Sequence, residues 1–158
     1  MSEFSIRRAE WDRDRDALRS VRTRVFVEEQ NVPPELEWDG LDSKCLHMLA
    51  IADHDAIGTG RLTPDGHIGR MAVVATWRGR NVGKALLEAL MVAARERGDT
   101  LCQLNAQVTA IGFYERFGFK THGEAFMDAG IEHRAMSLQL NASPFPLPTS
   151  DGQGKEER

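Results

Sequence analysis

The stretch that most constrains the fold is Val73-Val74-Ala75-Thr76-Trp77-Arg78-Gly79-Arg80-Asn81-Val82-Gly83-Lys84-Ala85-Leu86-Leu87. An apolar strand-like run enters a short loop containing glycine and arginine, and the loop opens directly onto a pattern of helical period. A helix that starts this way leaves its first backbone N–H groups without internal partners. Those donors and the helix dipole favour an anion in front of them. Gly79 and Gly83 carry no Cβ, so the main chain can come close to a ligand. Arg78, Arg80 and Lys84 gather positive charge at the same spot. The segment reads as a cradle for a pyrophosphate.

Two common phosphate loops do not fit it. A nucleotide P-loop needs four residues between its first glycine and Gly-Lys-Ser/Thr. Here three residues separate Gly79 from Gly83-Lys84, and Ala85 stands where the hydroxyl is required. No Gly-x-Gly-x-x-Gly is present to suggest a dinucleotide fold.

The chain of 158 residues suffices for one domain with a substantial core. Twenty basic and twenty-four acidic side chains give a formal charge of −4, which argues against a general affinity for nucleic acid. Cys45 and Cys102, the two cysteines, are too few for a disulfide scaffold or a zinc knuckle, and no histidine–carboxylate cluster has metal-ligand spacing. With no apolar signal segment after Met1 and no run of membrane-spanning length, a cytoplasmic location is expected.

Phe4 to Arg8 reads as a first strand. Asp12 or Asp14 can cap a helix that carries Leu18, Val21 and Val25 on one stripe and ends near Val27, before Pro33-Pro34. Strands follow at His47–Ala52, Ala56–Thr63 and His67–Val74, separated by the turns Asp53-His54-Asp55 and Pro64-Asp65-Gly66. The helix from Val82 to Arg97 buries Val82, Leu86, Leu90 and Ala93 and stops at Gly98. Thr100–Ala106 is a strand, Val108–Phe117 a short helix, and Thr121–Phe126 with His133–Leu140 a closing hairpin. From Ala142 the Pro-rich and then polar composition predicts a disordered tail after a domain of residues 1–141. The order β–α–β–β–β–α–β–α–β–β predicts an α+β domain with a mixed sheet of six to seven strands and helices on both faces. The helix between the fourth and fifth strands is read as a crossover, which would make those two parallel.

Arg80-Asn81-Val82-Gly83-Lys84-Ala85 fits Arg/Gln-x-x-Gly-x-Gly/Ala, and so resembles the coenzyme A motif of the GNAT superfamily of acyl-CoA N-acyltransferases. Phe113-Tyr114-Glu115-Arg116-Phe117-Gly118-Phe119 resembles the aromatic helix end of the same enzymes. Arg24-Val25-Phe26-Val27-Glu28-Glu29-Gln30 with Glu37-Trp38-Asp39-Gly40-Leu41-Asp42, Leu104-Asn105-Ala106-Gln107, and the hairpin around Asp128-Ala129-Gly130 are similar to the ElaA-like and YjcF-like branch. These stretches span Arg24 to about Leu140.

The resemblance implies a GNAT fold and an N-acetyltransferase that uses acetyl-CoA (coenzyme A) as co-substrate, with no metal, by direct attack of an amine in a ternary complex. It implies that Arg78, Gly79, Arg80, Asn81, Val82, Gly83, Lys84 and Ala85 hold the pyrophosphate. The pantetheine arm would lie along Met71, Ala72, Val73 and Val74, with an amide of Val73 or Val74 polarising the thioester carbonyl. Asn105, Gln107, Ala110, Phe113 and Tyr114 would complete the coenzyme contacts; Gln107 departs from the asparagine many relatives carry there. Tyr114, the chain's one tyrosine, falls on the family's catalytic position. A phenol of pKa ~10 is a suitable donor to a departing thiolate whose conjugate acid is near ~8.5.

Glu28, Glu29, Asp128 and His133 are the candidates for the base that takes the amine's proton, and a water relay is an alternative. His47 and His54 read as structural or exposed. Cys102, on a strand expected to be buried, is a poor acyl carrier. The acidic segment Glu28 to Asp42 would suit a cationic acceptor, a small molecule or a protein amine. Two other readings stand beside it: an acyl-CoA-binding sensor that keeps the cradle without turnover, and an enzyme similar to the acyl-homoserine-lactone synthases, which share the fold and are suggested by Val25-Phe26 with Glu37-x-Asp39-x-x-Asp42, but which lack the Arg-x-x-Gly-x-Gly/Ala loop. Edge strands leave room for a homodimer; no membrane partner is expected.

Overall fold

A computed structural model gives the fold of residues 3–140; the tail expected from Ala142 onward lies outside the described residues. Seven strands are present: β1 Ser5–Ala9, β2 Leu46–Ala52, β3 Asp55–Leu62, β4 Ile68–Val73, β5 Leu101–Gln107, β6 Lys120–Asp128 and β7 Ile131–Gln139. The α-helices are α1 Trp11–Arg22, α2 Pro34–Glu37, α3 Val82–Arg97 and α4 Ile111–Glu115. Contacts divide the chain into two units, Met1–Leu90 and Met91–Arg158.

In the first unit the strands order β1-β2-β3-β4, and every pair is antiparallel. Asp14 organises the start of α1. Its carboxylate accepts from the Glu10 N–H at 2.8 Å and takes both Nη groups of Arg7 at 3.1 and 2.8 Å. Those bonds hold its pKa well below the usual aspartate range. The helix therefore begins one turn before Asp14, at Trp11. It also does not end as an α-helix: Thr23–Glu29 continues as a π-helical segment, closed by the Gln30 N–H on Val25 C=O at 3.1 Å. The short α2 was not expected, since Pro33-Pro34 reads as a helix breaker. Pro34 occupies the first helical turn, where its missing N–H has no partner to lose.

Two glycines of β3 set how closely α3 can lie. A Cβ built on Gly58 would stand 3.0 Å from Leu86 Cδ1 and 3.1 Å from Val82 Cγ1. One on Gly60 would stand 2.7 Å from Leu90 Cδ1. The expected stripe of Val82, Leu86 and Leu90 thus fills the space that those absent side chains leave, and all three are fully buried. A bulge interrupts the β3–β4 register between Thr59 and Arg61. Opposite it Arg70 has φ +50°, a left-handed conformation that turns its side chain out of the strand's regular alternation.

In the second unit the order is β5-β7-β6, again antiparallel throughout. Cys102, Leu104 and Ala106 alternate as the buried face of β5. The β6–β7 hairpin turns at Ala129 and Gly130, both with positive φ, the twist a two-residue hairpin loop requires. The strands form in the number the strand–helix order predicts, and within each unit the ladders are antiparallel: β4 takes its partner from β3, and β5 from β7. β4 ends at Val73, and 75–77 coil at once into a 3-10 turn.

Candidate active site

The strand–loop–helix junction forms as the sequence predicts. Val74 N–H donates to Ile57 C=O at 2.9 Å. Antiparallel bonding alternates along a strand, so Val73, one residue earlier, turns its N–H and C=O to the other edge. β4 is the outer strand of its four-stranded sheet, and that edge is not laddered within it. Of the two amides considered for the thioester, Val74's is engaged and Val73's faces outward. Met71 shares Val73's orientation along the strand; the Ala72 side chain is buried in the core.

After Val73 the chain passes Gly79 (φ +77°) and Asn81 (φ +69°) before entering α3. Nothing lies within 4 Å of where a Gly79 Cβ would stand. The first helical bond runs from Ala85 N–H to Asn81 C=O at 3.0 Å. The N–H groups of Val82, Gly83 and Lys84 therefore have no partner inside the helix. The Val82 side chain is buried, which fixes this turn from below, while Arg80, Asn81 and Lys84 are exposed. Arg80 stacks on Trp77, its Cζ 4.7 Å from the ring centroid.

Arg78 is not a free cation of the loop. Its Nη1 and Nη2 donate to the two carboxylate oxygens of Glu29 at 2.6 and 2.7 Å, and its Nε to Val73 C=O at 2.9 Å. The same contact takes both oxygens of Glu29 and lowers its pKa through the Arg78 hydrogen bonds, which outweigh burial. Glu28, beside it, is exposed and has no ion-pair partner among the described residues.

The second unit holds the other candidates. Tyr114 lies on α4, 9% exposed, its ring edge-on to Phe113 (centroids 5.0 Å apart) and Phe119 (6.0 Å). Burial pushes the phenol up to about 12. The group therefore stays protonated across the neutral range, the state a proton donor needs. Because the chain has a single tyrosine, phenolate absorbance reports Tyr114 alone. An alkaline titration is expected to show no phenolate near pH ~10, where an unfolded tyrosine titrates, and a midpoint at about 12 in the fold. Between those values the unfolded chain has lost a proton that the native chain keeps, so stability falls as pH rises through the window. A native midpoint of ~10 would place the hydroxyl in water.

Asn105 and Gln107 lie on the face of β5 opposite its buried residues, and Gln107 pairs directly across with His133 of β7. Residues opposed in this way share a face. Phe126 of β6, also opposed to His133, stacks on its ring at 5.9 Å between centroids. His133 Nδ1 lies 2.7 Å from Ile131 C=O. A carbonyl can only accept, so Nδ1 carries the proton in the neutral ring and Nε2 holds the lone pair. Ala110 forms the entry to α4, while Asp128 ends β6 in the open. Cys102 is fully buried, with its thiol pushed up to about 11 by burial, unsuited to carry an acyl group.

What the sequence did not disclose is a buried ionic cluster beneath residues 37–42. Arg22 donates through Nε to Glu37 (2.8 Å) and through Nη1 to Asp42 (2.7 Å). Arg61 binds both oxygens of Asp39 (3.0 and 2.9 Å) and Asp42 (3.0 Å), and Arg70 reaches Glu37 C=O (3.0 Å) and Asp39 (3.2 Å). Three guanidinium groups neutralise three carboxylates. Of the acidic segment's carboxylates, Glu28 and Glu35 are exposed outside the cluster, while Glu37, Asp39 and Asp42 serve it. His47, read as structural, belongs here: its buried Nε2–H donates to Asp42 C=O at 2.8 Å and its ring stacks on Trp11.

A family model described as an acetyltransferase (GNAT) domain matches residues 15–140. Bacillus subtilis YjcF, named an uncharacterized N-acetyltransferase, is 38% identical over 120 residues, spanning 73% of this chain and 86% of its own. The crystal structure of an acyl-CoA N-acyltransferase from Pseudomonas aeruginosa matches with a TM-score of 0.74 and 29% identity, over 87% of this chain and 99% of the other. Escherichia coli ElaA matches with a TM-score of 0.77 and 26% identity, over 84% and 98%. The chain belongs to the GNAT acetyltransferase family.

Proposed function

We propose that the protein transfers an acetyl group from acetyl-CoA to the primary amine of a small molecule or protein, by direct attack in a ternary complex. The observation that carries this reading is the continuity of donors. The outward edge of β4 at Val73 runs, through a loop open at Gly79, into the unpartnered N–H groups of Val82, Gly83 and Lys84. That polarity suits a thioester with a diphosphate tail. The three amides and the Arg80 and Lys84 cations hold the diphosphate. Val73 N–H donates to the thioester carbonyl oxygen, most strongly as negative charge develops there.

The amine nitrogen forms the C–N bond, and the C–S bond breaks. His133 Nε2 takes one proton from the ammonium so that the free amine can attack; Tyr114 gives its phenolic proton to the sulfur, and the second proton that nitrogen loses on becoming an amide restores the phenol. Glu28 is the alternative base, being exposed and without an ion-pair partner among the described residues. Asn105 and Gln107 lie on the face shared with His133 and are assigned to the pantetheine arm. A cytoplasmic site of action accords with there being no helix among the described residues long and apolar enough to cross a membrane.

The test is thiol release from acetyl-CoA across a panel of amino acids, polyamines, aminosugars and peptides. At least one amine is expected to support turnover, and His133→Asn to lower kcat for that amine by ~10²-fold or more. Coenzyme binding without thiol release for any amine would favour a sensor instead.

A further inference from the structure

The contact between Glu29 and Arg78 is geometrically specific but badly placed for a stabilising role. Both side chains are over 40% exposed, and exposed ion pairs contribute little to stability, typically ~0–1 kcal/mol. Yet each of the three guanidinium nitrogens makes a hydrogen bond. The paired Nη groups meet the carboxylate in a fork, and Nε is turned onto a main-chain carbonyl rather than water. That carbonyl is Val73's, on the outward edge of β4. The carboxylate comes from the last residue of the π-helical segment Thr23–Glu29, and segments of this kind occur often at functional sites. The bridge therefore joins residue 29 to residue 78 across the end of β4.

We infer that Glu29 and Arg78 are a positioning couple: Glu29 orients the guanidinium, and Arg78 pins the Val73 carbonyl, so that the neighbouring Val73 N–H is fixed where the thioester oxygen docks. This inference rests on the transferase reading above. It takes Glu29 out of the set of bases and Arg78 out of the set of phosphate contacts. Three features support it together. The carboxylate has both oxygens committed to one guanidinium. Its pKa moves down, away from the range of a base for an amine. And the cations left free to meet a diphosphate, Arg80 and Lys84, lie beyond Arg78 toward α3. Lysine cannot replace Arg78, because one ammonium cannot bridge a carboxylate in a fork and meet Val73 C=O with a third, coplanar N–H.

Glu29→Gln, Arg78→Met, Arg78→Lys and the double variant Glu29→Gln/Arg78→Met are compared with the wild type, using acetyl-CoA and the best amine of the panel. Each single variant is expected to lose about 10-fold or more in kcat, with KM for acetyl-CoA within about 2-fold and Tm nearly unchanged. The double variant should lose no more than the worse single one, because the two residues act as one unit. The pH–rate profile of Glu29→Gln should keep its shape at the lower rate. In the free protein, the carbonyl carbon resonance of Val73 should shift in all four variants. An acidic limb lost in Glu29→Gln would make Glu29 the base and overturn the inference. So would additive losses, an unaltered kcat, an Arg78→Lys variant as active as wild type, or a KM rise that makes Arg78 a coenzyme contact. A wild type that releases no thiol with any amine would instead sink the transferase reading, and the inference with it.

Discussion

Replacing Tyr114 with phenylalanine is expected to cut turnover by ~10²–10⁴-fold while leaving coenzyme affinity nearly unchanged. The two side chains differ by one oxygen. The ring sits edge-on to Phe113 and Phe119 in a buried site, so phenylalanine keeps the packing. The hydroxyl forms no hydrogen bond with the described residues, burial being the sole cause of its raised pKa. Its removal therefore leaves no buried partner unsatisfied, and Tm should hold. A loss confined to kcat would identify the phenol as the donor to the departing sulfur. The measurement is steady-state kinetics beside calorimetric titration of coenzyme A. A variant with wild-type kcat would take Tyr114 out of the mechanism, and the thiolate would then leave unprotonated.

The second large effect is on stability. Arg22→Met is expected to destabilise the fold by about 3–5 kcal/mol, seen as a fall of roughly 10 °C in Tm. Arg22 is 1% exposed and neutralises Glu37 and Asp42, themselves 3% and 5% exposed. Without it the cluster keeps three carboxylates and two guanidinium groups, leaving a charge uncompensated at the buried Glu37 and Asp42. Adding Asp42→Asn to Arg22→Met should therefore recover part of the loss. Circular-dichroism melts of the three proteins decide it, and a fall of only ~1 °C would mean that water reaches the cluster.

The same cluster sets an acid limit. Burial alone would raise Asp39, but the Arg61 hydrogen bonds and charge prevail and bring it down to about 2. A group depressed in the folded state stabilises above its unfolded pKa and stops doing so as pH falls through the folded one. Asp39's contribution is thus lost between about 4 and about 2.

Local pattern was enough for much of this molecule. The helix Val82–Arg97 has the predicted ends, because a helical stripe, the glycine loop before it and Gly98 after it all act within a few residues. The hairpins were legible for the same reason, since Asp65-Gly66 and Ala129-Gly130 are turn chemistry. What escaped depends on distance. Arg22 meets Glu37 fifteen positions away and Arg61 meets Asp39 at twenty-two, and no local spacing marks such partners. Pro34 was misread because a proline that breaks one helix can open the next. Val73 could be chosen over Val74 only once the β3–β4 register was known, since a shift of one residue exchanges the two edges of a strand. The contact between Glu29 and Arg78 escaped too, because motif positions say where a residue stands, not whom it holds.

The bare backbone of β3 at Gly58 and Gly60 has a consequence for how a ligand would be received. Because Leu86 and Leu90 nest against it, the amide tips that open the long helix are clamped by hydrocarbon from behind. A nucleotide arriving there would meet a rigid socket with little polypeptide left to freeze, so its affinity should carry only a small ordering penalty.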